Sequence, residues 1–399
     1  MIMSVSSSTF LLDSPVKATA DDAMVAKLAA THAGYYTDPF IGAMTEHIKN
    51  RDNKKPQPII KRGTHARVCV MDRAISTFLR TTQRKTQIVV LGAGKDTSYF
   101  RYRNGNIMGL DSKHDSDCIQ RWYEVDHTSV ITNKVSLIRK SNLLTSYCPH
   151  LIKTEVGFEY NSTNLVANDG LNCSSSSYHL VGHDLRDSPT KLMEKLTLDP
   201  TLPTLFIMEC VSMYISIKSS ESLLRTLSVS ADITFIACYE PILNCNNTNN
   251  NKSFSDPFGR VMERNFEKMG LTSPESCLLK NRTLQDQLQK LLNCGFVRAV
   301  GCDMSSAYET IVTDDQRKRA NKSEFMDEYE EWILIMRHYC FVVARGGRQK
   351  QKYTSNNLDG TNTDLTTVLA KTDKDKSLSL GWVLGKCLEL EKSEEQNDS

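Results

Sequence analysis

The sequence predicts an α/β protein with a doubly wound, mostly parallel sheet of seven strands. A helical lid precedes the sheet, and the last strand inserts antiparallel. Three observations carry that prediction. Short apolar runs alternate with segments of helical periodicity from Gln87 to about Thr234, as parallel βαβ units require. The first run, Ile88-Val-Val-Leu91, breaks on Gly92-Ala93-Gly94, where backbone N–H groups can approach a ligand that a side chain would block. Beyond residue 295 the pattern becomes strand, long helix, strand, as when a late strand inserts against the others. Gly-x-Gly after an apolar run also occurs in ordinary tight turns, and the third glycine of the dinucleotide fingerprint is missing.

Composition narrows the classes. The chain of 399 residues is 40% hydrophobic and 24% charged, ordinary for a globular protein with a sizeable core. A formal net charge of +2 argues against a dedicated nucleic-acid binder. The twelve cysteines are scattered singly without a Cys-x-x-Cys pair, many within apolar runs, so they read as reduced thiols of a cytoplasmic protein. That leaves no metal-ligand cluster. The start lacks a basic n-region with a long apolar stretch behind it, and no run is long enough to span a bilayer.

Residues 1–20 are Ser- and Thr-rich and expected to be disordered, with Asp21-Asp22 capping an Ala-rich helix to about Thr31. Lys27 lies on it and, from this stretch alone, reads as a solvated charge. From Thr64 to Arg80 apolar positions recur at helical spacing. Arg67 leans toward the buried face, either as a snorkelling rim residue or as a bidentate carboxylate clamp. After the glycine turn a helix begins at Thr97–Tyr102, followed by a polar insert, 103–120. A second strand, Arg121–Asp126, ends in an acid. Such an acid can accept from both hydroxyls of a ribose, or simply cap the helix His127–Ile138.

Residues 155–178 read as a loop. The third strand, Tyr178–His183, runs into Asp184-Leu185-Arg186-Asp187, where Asp184 could meet an adenine amino group or cap its own loop. The fourth, Thr204–Met208, ends on Glu209. A lone carboxylate closing an apolar strand is costly without a partner, which favours a functional role. Tyr214 follows five residues later, and Ser216 starts a helix. The fifth strand, Ile233–Cys238, ends in Tyr239-Glu240-Pro241. A polar tract, 244–253, reads as a loop. Helices at 257–269 and 283–294 follow, then a strand at 296–300, a helix at 321–337 and a last strand at 338–344. The organisation is therefore residues 1–20, a domain at 21–347 (cap 21–82, core 83–240, C-terminal part 241–347) and a polar tail at 348–399. The tail holds one candidate helix near Leu380–Leu390.

Arg62-Gly63-x-x-Ala66-Arg67, Gln87-Ile-Val-x-Leu-Gly-Ala-Gly-x-Asp-Thr97 and Glu124-Val-Asp126 occur in order. They are followed by Asp184-Leu-Arg-Asp187, Leu202-Pro-Thr-Leu205, Glu209-Cys-Val211 with Tyr214, and Met336-Arg-His-Tyr-Cys340. Together these segments resemble the leucine carboxyl methyltransferase family across about residues 20–347. The resemblance implies a class I S-adenosylmethionine-dependent methyltransferase fold and a position-by-position set of roles. Lys27 and Arg67 would hold the methionine carboxylate, and Arg67 would also face the substrate carboxylate. Gly92 would admit the cofactor, and Asp126 would take the ribose hydroxyls. Asp184 and Leu185 would flank the adenine, Glu209 would sit near the methionine amino group, and Tyr214 would face the substrate's C-terminus. Lys95 stands where the family has an apolar residue and adds a charge beside the cofactor turn.

The implied reaction is in-line methyl transfer to the C-terminal leucine α-carboxylate of a type 2A protein phosphatase catalytic subunit, a partner gripped by its tail and its active-site face. A carboxylate of reference pKa roughly 3.3–3.7 is already ionised at neutral pH, so neither a general base nor a metal is needed. The enzyme is expected to be a cytoplasmic monomer with no nucleic-acid or membrane partner. Rival readings are a relative acting on another carboxylate or a modified tRNA base, a nicotinamide-dependent oxidoreductase, and an inactive scaffold. The tRNA-modifying branch carries a C-terminal propeller that this tail is too short and polar to form. For the oxidoreductase, the glycine motif is incomplete.

Overall fold

The computed structural model describes residues 8–46, 56–82, 84–110, 118–161, 176–244 and 255–348. The tail 349–399, with its candidate helix, lies outside these residues, as do parts of the three expected loops. One mixed sheet organises the chain. Its strands are β1 (Thr86–Leu91), β2 (Ile119–Asp126), β3 (Ile152–Lys153), β4 (Gly157–Asn161), β5 (Ser177–Gly182), β6 (Thr204–Glu209), β7 (Thr234–Pro241), β8 (Arg298–Asp303) and β9 (Tyr339–Gly346). Their order is β3-β4-β5-β2-β1-β6-β7-β9-β8.

The run from β5 to β8 is the doubly wound, mostly parallel sheet of seven strands expected from the sequence. β5, β2, β1, β6 and β7 are parallel, and β9 inserts antiparallel between β7 and β8. Ile88-Val-Val-Leu91 is continuously apolar because both faces of β1 are covered. Ile88 and Val90 pack with the helices Pro58–Thr82 and Thr128–Lys140 on one side. Val89 and Leu91 pack with the helices Pro189–Leu196, Ile217–Leu227 and Leu284–Asn293 on the other.

Three sequence expectations are corrected. Within the expected 155–178 loop, β4 pairs antiparallel with β5 and extends the sheet to nine strands with β3. Phe158 and Tyr160 alternate as a half-buried strand needs, and a Cβ at Gly157 would fall 1.9 Å from the Leu180 carbonyl oxygen. The first helix runs Ser8–His32, so residues 8–20 are helical and Asp21 is no N-cap. Asp21 pairs with Lys95, and Thr19, Ala20, Asp22 and Ala23 pack against the cavity described below. Docking onto the core outweighs the weak helix propensity of a Ser/Thr-rich stretch. The expected 321–337 helix is broken into Asp314–Ser323 and Tyr329–Arg337. At the break Glu324 is extended, and its carboxylate is drawn to Lys61 and the Tyr35 hydroxyl. Among the described residues no helix is long and apolar enough to cross a membrane.

Candidate active site

A cavity of about 420 Å³ opens at the carboxyl ends of β1, β2, β5 and β6, where ligands bind in open α/β sheets. The structure brings all eight residues singled out from the sequence to its wall: Lys27, Arg67, Gly92, Asp126, Asp184, Leu185, Glu209 and Tyr214. Sheet order arranges them. Asp184 and Leu185 lie past β5, Asp126 ends β2, Gly92 follows β1, and Glu209 ends β6. The first helix and the helix Pro58–Thr82 contribute Lys27 and Arg67 from above the strand ends.

The glycine turn is a true cradle. Gly92 and Gly94 have φ of 65° and 53°, a left-handed conformation that other residues adopt only with strain. A Cβ at Gly92 would lie 2.5 Å from Val211 Cγ2, so alanine there meets a clash as well as strain. Asp126 accepts from the backbone N–H of Gly94 at 2.7 Å and of His127 at 2.6 Å. Burial raises its carboxyl above the usual range, opposed by those two N–H groups. It is not the helix cap. His127 caps the helix through Nδ1, which accepts from Ser129 N–H, so the capping alternative for Asp126 falls away.

Around Arg67 the charges interlock. Its Nε donates to Glu209 at 2.6 Å, and its guanidinium lies 4.9 Å from the Tyr239 ring centroid. Among the described residues only Nε bonds to protein, which leaves the two terminal nitrogens of the fork for a ligand carboxylate. Lys27 donates to Asp96 at 3.1 Å and stands 3.9 Å from Glu209. Burial alone would lower the pKa of both cations. For Lys27 the charges of Glu209 and Asp96 outweigh it, and for Arg67 those of Glu209 and neighbouring groups do, so both are raised. Lys27 is buried, not the solvated charge that its own helix suggests.

Asp184 is gripped by Arg186, with Nε at 2.9 Å and the backbone N–H at 2.9 Å. The loop-capping alternative is thus present in the structure, although the residue still borders the cavity. Burial would raise its carboxyl, but the Arg186 hydrogen bonds hold it below the usual range. Tyr214 ends the 3₁₀ turn Ser212–Tyr214, beside Met213 and Ile215, and burial pushes its phenol up, so it stays neutral.

Sequence reasoning missed Asp96. It accepts from Lys27 and from Ser98, and the Lys134 ammonium donates to its backbone oxygen at 2.5 Å. Burial would raise its carboxyl, but the charges of Lys27 and Lys134 and the Ser98 hydroxyl hold it well below the usual range. The signal was the acid two positions past Gly94 in the glycine motif. Lys134 itself is fully buried against Glu124, a brace beneath the turn. His183, also missed, lines the cavity with a buried Nε2 that has no partner among the described residues. Lys95 adds no open charge at the cofactor turn, because Asp21 pairs with it.

These features suit an adenosyl amino acid. The glycine cradle admits a backbone contact, Asp126 can accept from a diol, the His183 nitrogen, unpartnered among the described residues, can meet a polar group, and the mixed cations and anions match a zwitterionic end.

Residues 12–228 match the family model described as "Leucine carboxyl methyltransferase". The chain is 29% identical to leucine carboxyl methyltransferase 1 of Bos taurus over 346 residues, covering 86% of this chain and 93% of that protein. It is 30% identical to the Rattus norvegicus protein of the same name over 343 residues, covering 84% and 92% respectively. The leucine carboxyl methyltransferase 1 homolog of Arabidopsis thaliana matches at 30% over 339 residues, covering 82% and 88%. Likeness to solved structures is looser. Geranyl diphosphate C-methyltransferase from Streptomyces coelicolor gives a TM-score of 0.36 at 9% identity, over 70% of this chain and 81% of that one. The chain belongs to the leucine carboxyl methyltransferase family, whose reaction is methyl transfer from S-adenosylmethionine to a carboxyl group.

Proposed function

We propose that this protein methylates the C-terminal leucine α-carboxylate of a type 2A protein phosphatase catalytic subunit, by direct in-line transfer. The observation that carries the reading is Arg67. Its Nε is held by Glu209 and its ring-facing side by Tyr239, so its remaining donors are fixed in place within a cavity that also holds Tyr214. A planar fork held this way recognises a planar carboxylate in two-point fashion. Met213, Ile215, Phe266, Met269 and Leu271 supply an apolar wall suited to a leucine side chain.

S-adenosylmethionine, when bound, supplies an electrophilic methyl on a sulfonium. Lys27, Asp96 and Glu209 would hold its amino-acid end, Asp126 the ribose, and Leu185 with His183 and Asp184 the adenine. A substrate carboxylate oxygen would take that methyl, the carbon–sulfur electron pair remaining on sulfur, to give a methyl ester and S-adenosylhomocysteine. No proton moves, so the protein needs no base. Its contribution is to hold two charged partners in line and exclude water, the entropic part of catalysis. Mass spectrometry of the phosphatase after reaction tests this. The reading expects a single base-labile methyl on the C-terminal fragment, and a methyl on an internal residue contradicts it.

A further inference from the structure

Glu240 is a buried carboxylate that the reaction does not use. It stands at the carboxyl end of β7, beside the site. Its Oε1 accepts from the backbone N–H groups of Val211 at 3.2 Å and Ser212 at 2.9 Å. These are successive donors in the turn that leaves β6. The turn begins at Cys210, a non-glycine residue with φ of 55°, whose N–H donates to the Tyr239 carbonyl at 2.7 Å. A left-handed residue followed by converging N–H groups forms a concavity for an anion, and here a side chain fills it. The arrangement is braced from behind. Lys290 donates to Gln287 at 2.7 Å and contacts the Ser212 hydroxyl at 3.4 Å, and its charge faces Glu240.

The turn matters because of what it carries. Glu209 precedes it, Val211 seats the Gly92 cradle, and Tyr214 ends it. Strain of this kind persists only where surrounding groups hold it. We infer that Glu240 is a positioning residue: by clamping the Val211 and Ser212 amides it holds Tyr214 at the substrate side of the cavity. The role of Tyr214 in this inference rests on the proposed function. Glu209 is anchored separately, through its ladder pairing with Tyr239, so losing the clamp displaces Tyr214 more than Glu209.

The test compares Glu240→Leu with Glu240→Gln in the full chain. Leucine removes the acceptor at similar volume, whereas glutamine keeps one oxygen for both amides. Lys290→Met accompanies each variant, so that no buried ammonium is left alone. We expect Glu240→Leu to raise the KM for phosphatase about tenfold or more while the Kd for S-adenosylmethionine changes by less than about threefold, with Glu240→Gln recovering most of the loss. Leucine with wild-type KM, or glutamine no better than leucine, overturns the inference. Hydrogen exchange on the wild-type protein covers the case in which leucine prevents folding. Val211 and Ser212 amides as protected as the β6–β7 ladder support the clamp, and free exchange there refutes it. That readout needs no acceptor substrate, so it stands even where phosphatase is not methylated.

Discussion

Replacing Arg67 with alanine separates the two jobs the structure gives that side chain. It neutralises Glu209 through a 2.6 Å hydrogen bond, and it presents the rest of its fork to the cavity. Both side chains are largely but not fully buried, at 20% and 16% exposure, so water softens the orphaned Glu209 charge. Lys27, 3.9 Å away, compensates further. Breaking a fully buried pair costs about 3–5 kcal/mol, and here about 2 kcal/mol is expected, a loss of a few degrees in Tm. The catalytic loss is larger. Two charge-assisted hydrogen bonds to a carboxylate, each about 1.5–3 kcal/mol, correspond to a fall in kcat/KM on the order of 10²–10⁴. Thermal unfolding and transfer of labelled methyl to phosphatase measure the two effects on the same preparation. The double variant Arg67→Ala/Glu209→Ala removes the orphaned charge and should regain stability without regaining turnover. Wild-type kcat/KM in Arg67→Ala, or turnover rescued in the double variant, refutes the assignment. Arg67→Lys should stay strongly impaired, because an ammonium keeps the charge but not the planar fork.

Gly92→Ala should fold yet bind S-adenosylmethionine at least tenfold more weakly by calorimetry, because left-handed strain of about 1 kcal/mol and the Val211 contact both push the turn from its cradle. Asp126→Ala should raise the cofactor Kd without changing the KM for phosphatase by more than about threefold, since each hydrogen bond of the proposed ribose contact would be worth about 1–3 kcal/mol. Tyr214→Phe should do the reverse, raising the KM for phosphatase and sparing cofactor affinity. Asp96 gives a pH prediction. Its carboxyl is depressed in the folded protein by Lys27 and Lys134 against the cost of burial, so it contributes stability that is fully present above the ordinary carboxylate value of 3.8 and lost as pH falls below it. Asp96→Asn should therefore be clearly less stable than wild type at pH 7 in denaturant titrations, with the gap starting to narrow only as pH falls below 3.8 and closing well below that.

Much of this was legible in the sequence because the information is local. A strand buried on both faces leaves an apolar run, and the residue at its carboxyl end is the residue at the ligand. That rule made Gly92, Asp126, Asp184 and Glu209 candidates, with an ordinary turn or a cap left open for the first three, and all four line the cavity. It did not reach Lys27 and Arg67, because each lies on a helix whose local pattern looks ordinary. The family resemblance marked Lys27 and decided between the two readings of Arg67, and their ion-pair partners, Asp96 and Glu209, are distant in sequence. Asp96 escaped notice because its partners, Lys27 and Lys134, lie 69 and 38 positions away. The edge strand β3 and its neighbour β4 hid in polar composition, since between them only Tyr160 is fully buried. The break at Glu324 depends on Lys61 and Tyr35, which helical periodicity around residue 324 cannot register.

The central claim is the acceptor. The most direct test incubates the protein with methyl-labelled S-adenosylmethionine and the phosphatase 2A catalytic subunit, either intact or lacking its terminal leucine. The account predicts base-labile label on the intact subunit and none on the truncated one. Equal labelling of both, or label that survives mild base, contradicts it.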